Sequence, residues 1–316
     1  MDDQQMLEAA VRKVKGWEDR PVVIEPAIPV LASPSWRGVD GEPSVARDTE
    51  TEATIFIKKI HEDTGVYVDV PASFDAAIKA GEIGVGPKVL YSDAEAGLLI
   101  MEDLSAAAGW RVAGLEKCYE PDFIEAVVAA RKRFADVTAL TRKADVFADI
   151  ETFWAVVNEK AVTVPSETAW MVDMARFAAE AMTGGAAASV PIHGDGNCSN
   201  IMWNKDGEVR LVDFDRAGNG DPLEDAGSFF VEAFAFEPEA REAYFRLFPD
   251  ASETGFNRLR FYGFADDLRW GLIGAIQAST SPRRVHEFYK YSNWRFLRAR
   301  MAARDPRFGE RIRRAA

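Results

Sequence analysis

Short aliphatic runs set between Pro- and Gly-bearing turns fill the first hundred residues: Val22-Val23-Ile24, Ile55-Phe56-Ile57 and Leu98-Leu99-Ile100-Met101. Runs of this length, bounded by turn residues, predict strands. Further along, the apolar positions spread to intervals of three and four. Phe123, Val127, Val128, Phe134 and Val137 recur at that spacing between Pro121 and the charged stretch Arg142, Lys143, Asp145, which predicts a helix. A second helix is predicted to open at Pro165-Ser166-Glu167, with Ser166 as N-cap and with Trp170, Met174, Phe177 and Ala178 on one face. Two or three more are expected in the last ninety residues, and the basic end from Arg307 to Arg314 is expected to be a solvated helix or tail. The character of the pattern changes near Asp103 to Gly114, where Ser105-Ala106-Ala107-Ala108-Gly109 follows the last strand-like run. The pattern therefore predicts an α+β chain: a small β-rich lobe over 1–104, a hinge, and a larger helical lobe over 105–316.

Composition narrows the function classes. The 316 residues are 47% apolar, enough to bury a full core, and 38 Lys plus Arg against 51 Asp plus Glu give a formal charge of 38 − 51 = −13. That balance opposes nucleic acid and an anionic membrane surface as partners. No run approaches the about 18 apolar residues of a membrane span. The start, MDDQQMLEAAVRKVKGW, has no apolar signal core, and Cys118 and Cys198 match no zinc spacing. A reducing cytoplasm is the expected location.

Residues 191–217, PIHGDGNCSNIMWNKDGEVRLVDFDRA, carry the chemistry. Ile201-Met202-Trp203 and Val209 to Val212 read as two strands joined at Asn204-Lys205-Asp206-Gly207, a hairpin turn. A hairpin brings its outer ends together, so Asn200, Asp213 and the Asp195 loop converge. Such hard oxygen donors suit Mg²⁺ with substrate phosphates. The spacing matches a phosphoryl-transfer site: His193-Gly194-Asp195 followed by Asn200 reproduces H-x-D-x-x-x-x-N, and Asp213-Phe214-Asp215 stands where kinases place D-F-G. By that template Asp195 is the catalytic base, and Asn200 and Asp213 are metal ligands on the phosphates of ATP. His193 is expected to be a structural imidazole.

HGDGNCSN, followed by LVDFDRAGNGDPLEDAGSFFVE, resembles the choline/ethanolamine kinase branch of the aminoglycoside-phosphotransferase-like kinases. Asp-Phe-Asp in place of Asp-Phe-Gly, and no Ala-Pro-Glu downstream, favour that branch over protein kinases. The resemblance extends to GVGPKVLYSDAEAGLLIMEDL (84–104), RWGLIGAIQASTSP and FYKYSNWRF, and covers most of residues 50–300. It implies a bilobal protein-kinase-like fold, with Met101, Glu102 and Asp103 in a hinge against adenine and Asp225 bracing the catalytic loop. It also implies that a strand lysine pairs with the nucleotide phosphates. Lys58 fits, although Lys59 is adjacent and points to the opposite face. Two family features are weak here: the nucleotide-covering loop, SPSWRGVDGEPS, has only Gly38 and Gly41, and the small-lobe helix offers Asp75 where the lysine's Glu partner should be.

The same resemblance implies an acceptor pocket with aromatic and acidic walls. Trp270, Tyr291 and Trp294 are candidates for the aromatic faces and Glu232 for a cation-binding carboxylate, while Asp266 and Asp267 read either as further carboxylates or as a solvated face. The expected reaction is transfer of the ATP γ-phosphoryl group to a small, cationic amino alcohol. Alternatives are another hydroxyl acceptor on the same fold (an aminoglycoside, homoserine or a sugar) or a nucleotide-binding pseudokinase.

Overall fold

The structure, a computed structural model, describes residues 3–27, 40–183 and 188–315. The N-terminal helix α1 (Asp3–Val11) leads into five strands, β1 (Val22–Pro26), β2 (Gly41–Asp48), β3 (Thr54–Ile60), β4 (Val89–Asp93) and β5 (Leu98–Glu102). They form an antiparallel sheet in the order β1-β2-β3-β5-β4, with helix α2 (Val70–Glu82) between β3 and β4 in sequence. Strand alternation sorts β3 cleanly. Ile55 and Ile57 join Leu98 and Ile100 in a small core under α1 with Val11, Val14 and Trp17. Phe56 and Lys58 point the other way, into the cleft beneath the sheet. Asp69 caps α2 by accepting from Ala72 N at 3.1 Å.

The rest is mostly helical. Strand β6 (Trp110–Val112) is followed by α3 (Pro121–Phe134), α4 (Val146–Glu159) and α5 (Thr168–Met182). Next come β7 (Val190–Ile192), the hairpin strands β8 (Ile201–Asn204) and β9 (Val209–Leu211), and β10 (Gly218–Gly220). Helices α6 (Pro222–Ala233), α7 (Glu237–Leu247), α8 (Glu253–Thr280), α9 (Phe288–Ala303) and α10 (Phe308–Arg314) complete the chain. The predicted hairpin is present with Ile201 opposite Leu211, and β6 adds to it as a third strand. Helix α8 is buried nearly throughout, as the central rod against which α4, α6 and α9 pack.

Two expectations of local structure are corrected. Helix α5 starts at Thr168, and Glu167 rather than Ser166 stands at its N-cap. Its buried face is Met171, Val172, Ala175, Ala178 and Met182, while Trp170 and Phe177 are exposed. Apolar residues surround this helix on all sides, so periodicity alone could not choose the face. The basic end is a helix tied down rather than a free tail: Phe308 packs edge-on against Phe261 and Phe264, and Arg311 pairs with Glu237.

Candidate active site

The HGDG sequence is shaped by backbone crowding. Gly194 sits at φ +75°, and a Cβ there would lie 2.6 Å from Arg216 O; a Cβ on Gly196 would lie 1.9 Å from Ser228 O. Glycine thus lets the loop press against α6 and hold Asp195 at the floor of the cleft. Its carboxylate accepts from Asn197 N and from Asn200 Nδ2, both at 2.9 Å. Burial, followed by the charge of Asp266, raises its pKa above the usual carboxylate value.

Buried charges hold this loop from behind. Asp225 Oδ1 accepts from Gly194 N at 2.8 Å and from Arg131 Nη1 at 2.6 Å, while Arg131 Nη2 donates to Asp195 O at 2.7 Å. From α8, Arg269 Nη2 donates to Gly194 O at 2.7 Å. His193 is fully buried, its Nδ1 3.1 Å from Asp195 O and its Nε2 3.0 Å from Val212 O. A neutral ring can donate to only one of these carbonyls. Burial and the Arg131 charge nonetheless bring its pKa down to about 4. The ring also packs on Phe214 at 4.8 Å.

At the opposite wall Lys58 Nζ donates to Asp213 Oδ1 at 2.5 Å and to Asp215 Oδ2 at 2.7 Å. Burial works against its charge, but the two carboxylates more than offset that and raise its pKa. Lys59 leaves the other face of β3 and pairs with Asp3. Asp75 does not reach Lys58; it pairs with Lys79 one helical turn away. Ser73 of α2 donates instead to the second oxygen of Asp215, at 2.6 Å. The lysine's acidic brace therefore comes from the Asp-Phe-Asp triplet, with a serine where a small-lobe acid was expected. Asp213 itself adopts φ +68°, a left-handed conformation that Asp tolerates better than most residues.

A third carboxylate here was missed by sequence reasoning. Asp40 places an oxygen within 4.8 Å of those of Asp213 and Asp215 and accepts from Tyr67 Oη at 2.5 Å. Burial and the two neighbouring aspartates push it up to about 8. No motif flags it, because it precedes β2 far from the catalytic loop in sequence. The candidate loop glycine Gly38 lies outside the described residues.

Asp40, Lys58, Asp195, Asn200 and Asp213 line one cleft of about 550 Å³ between sheet and helices. Val45, Phe56, Met101, Val112, Met202 and Val212 give it apolar walls near the hinge. The hinge carboxylates are engaged: Glu102 accepts from Lys88 N at 3.2 Å and Asp103 from Thr54 Oγ1 at 2.7 Å.

At the other end Trp270 and Tyr291 line the cleft, edge to face with ring centroids 6.5 Å apart. The structure does not bring Trp294 there; it is 54% exposed on α9. Glu232 does not line the cleft either, being bound by Arg295 and, at 3.2 Å, by Arg298. Asp266 and Asp267 are buried, not solvated, and are held by the same arginines and Arg269. Trp294 precedes the cleft-lining Arg295 by one residue and is therefore rotated about 100° from it around α9, an offset that sequence spacing in a helix with apolar residues on both sides leaves undecided. Arg295, which lines the cleft beside Tyr291, was also missed.

Asn200 and Asp213 suit a hard divalent cation. Asn200 uses its amide nitrogen on Asp195 and keeps Oδ1 as a ligand atom, and Asp213 is partly open to the cleft.

The phosphotransferase enzyme family model (APH) matches residues 40–262. No curated protein sequence matches the chain. Among solved structures, a choline/ethanolamine kinase family protein from Mesorhizobium loti is 21% identical, with a TM-score of 0.78 over 99% of this chain and 98% of that one. Choline kinase LicA from Streptococcus pneumoniae is 14% identical, with a TM-score of 0.75 over 95% and 98%. An aminoglycoside phosphotransferase, APH(4)-Ia with ADP and hygromycin B, is 14% identical, with a TM-score of 0.59 over 97% and 99%. The shared architecture is the kinase-like one of a β-sheet N-terminal region on a helical C-terminal part. The chain belongs to the APH phosphotransferase enzyme family and is an ATP-dependent phosphotransferase that acts on a hydroxyl group.

Proposed function

We propose that this enzyme phosphorylates the hydroxyl of a small cationic amino alcohol of the choline or ethanolamine type, using Mg²⁺ and ATP in the cytoplasm. In this reading residues 1–104 form the nucleotide lobe and 105–316 the catalytic and acceptor lobe. The observation that carries it is the position of Asp195, in one cleft with Lys58, Asn200 and Asp213 and with the aromatic pair Trp270 and Tyr291.

The chain's own groups divide the work. Met101 and the hinge backbone hold the base, and Lys58 meets the phosphates. Asn200 and Asp213 would hold Mg²⁺, which supplies charge neutralisation on the phosphates. Asp195 accepts the proton of the acceptor hydroxyl at its carboxylate and aims the oxygen at the γ-phosphorus. The ring faces of Trp270 and Tyr291 attract an ammonium group, each contact worth about 0.5–2 kcal/mol. Asp225, Arg131 and Arg269 keep the loop fixed, so that catalysis is positioning and charge stabilisation without a covalent enzyme intermediate.

A second reading, transfer to a hydroxyl compound bearing a carboxylate such as homoserine, is favoured by one observation, the guanidinium of Arg295 in the cleft wall. ADP release from Mg-ATP across choline, ethanolamine, homoserine and aminoglycosides, with Asp195→Asn beside the wild type, tests both. Turnover with an amino alcohol that is lost in the variant supports the first reading; turnover with homoserine alone replaces it.

A further inference from the structure

We infer that Arg295 determines acceptor specificity by withdrawing Glu232, Asp266 and Asp267 from the substrate, so that the pocket selects a quaternary ammonium alcohol over one whose nitrogen carries N–H groups. The inference rests on the amino-alcohol reading and names the class of amine.

Three acids stand behind the acceptor wall, Glu232 on α6 and Asp266 and Asp267 on α8. Arg295, 5% exposed and reaching in from α9, touches all of them: Nη1 on Glu232, Nη2 on Asp266 Oδ2 at 2.6 Å, and Nε facing Asp267 Oδ1 at 3.1 Å. Arg298 adds a second cation to Glu232 and Asp267, and Arg269 takes the other oxygen of Asp266 at 2.6 Å. Three carboxylates thus face three guanidinium groups, of which Arg269 is shared with Asp149 at 3.3 Å, and the charge of the acids is compensated. Burial alone would raise the Glu232 pKa, but Arg295 and Arg298 more than offset it and hold that acid ionised.

The consequence for an ammonium ligand follows from hydrogen-bond accounting. A primary ammonium carries three N–H donors, each costly to leave unpaired once out of water. Among the described residues, the carboxylate that shares this end of the cleft with Trp270 and Tyr291 is Asp195, and it is committed to the hydroxyl. The Tyr291 oxygen is a neutral and weaker partner. A trimethylammonium group has no such donors, and aromatic surface suffices for it. A charge-compensated wall also avoids the repulsion that an unpaired arginine would exert.

The test measures kcat/KM for choline and ethanolamine in the wild type, Arg295→Met, Arg295→Lys and the double variant Arg295→Met with Asp267→Asn, with thermal melting to confirm folding. The wild type should prefer choline by about tenfold or more. Arg295→Met strips the cation that faces all three acids, frees their oxygens to accept N–H groups, and should raise the ethanolamine-to-choline ratio at least tenfold. Asp267→Asn added to it removes one of the freed acids and should return the ratio toward the wild-type value, which mere structural damage would not do. If Arg295→Met does not fold, Arg295→Lys, which keeps the charge but cannot span three acids, should still raise the ratio several-fold. Choline turnover with an unchanged ratio in the folded variants overturns this inference and leaves the amino-alcohol reading standing. Turnover of homoserine with neither amine overturns both and assigns Arg295 to an acceptor carboxylate.

Discussion

Lys58 Nζ lies 2.7 Å from Asp215 Oδ2, and Ser73 Oγ donates to the other Asp215 oxygen at 2.6 Å. The third residue of the Asp-Phe-Asp triplet thereby links the strand lysine of the sheet, the small-lobe helix and the catalytic segment. Asp215→Asn leaves Lys58 to Asp213 alone, so the lysine loses its fixed direction toward the phosphates. KM for ATP should rise about tenfold, equivalent to about 1.4 kcal/mol. Ser73→Ala removes one hydrogen bond to a charged group, worth about 1.5–3 kcal/mol, and should lower stability in urea with a smaller rise in KM. Steady-state kinetics with varied ATP measure the first effect, and an unchanged KM in Asp215→Asn would show that Lys58 is held otherwise.

Asp195→Asn keeps the size of the side chain and removes the proposed proton acceptor. General-base contributions run to about 10²–10⁴ in rate, so kcat should fall by about that factor. KM for ATP should stay within a few-fold, because the nucleotide is proposed to meet Lys58, Asn200 and Asp213 instead. Near-normal turnover in the variant would remove Asp195 from the catalytic role.

The parts of the molecule legible in sequence are those set by local rules. Alternation along Ile55-Phe56-Ile57-Lys58-Lys59 put one lysine on each face of β3, and the Asn-Lys-Asp-Gly turn specified the hairpin that brings Asn200 and Asp213 together. The parts that were not legible depend on long side chains meeting across great sequence distance. Arg131 reaches Asp195 O across 64 positions and Arg295 reaches Glu232 across 63, and no periodicity encodes such pairs. The same cause misassigned Glu232: its place before the acceptor helices was visible, but the arginines that consume it were not. Ser73 carried no signal at all, since a serine on a helix is ordinarily unremarked.

Cys118 and Cys198 lie with their sulfurs 3.3 Å apart, both buried, the second inside the catalytic loop. The contact with Cys118 and burial raise the Cys198 pKa, so the reactive thiolate is scarce at neutral pH. Iodoacetamide at pH 7.5 should therefore leave the folded enzyme unmodified and active over a time that labels both thiols of the urea-unfolded chain. Mass spectrometry of the two samples reads the result. Rapid labelling of Cys198 with loss of activity would mean that the catalytic loop opens far more readily than its packing implies.

Glu224 supplies the pH dependence of stability with a defined sign. It is buried in α6, its Oε1 without a hydrogen-bond partner, and burial pushes its pKa up from the usual 4.5 to about 8. Between those two values the unfolded chain releases this proton and the folded one keeps it, so the contribution of this group to stability is full below about pH 4.5, declines as pH rises, and is lost by about pH 8. A change of this size corresponds to about 5 kcal/mol. Glu224→Gln mimics the protonated acid in shape and removes the titration. The variant should melt several degrees above the wild type at pH 8 and at the same temperature near pH 4.5. Equal melting temperatures at both pH values would show that Glu224 is ionised in the folded enzyme, with the charge of Arg269, which acts on it, compensating its burial.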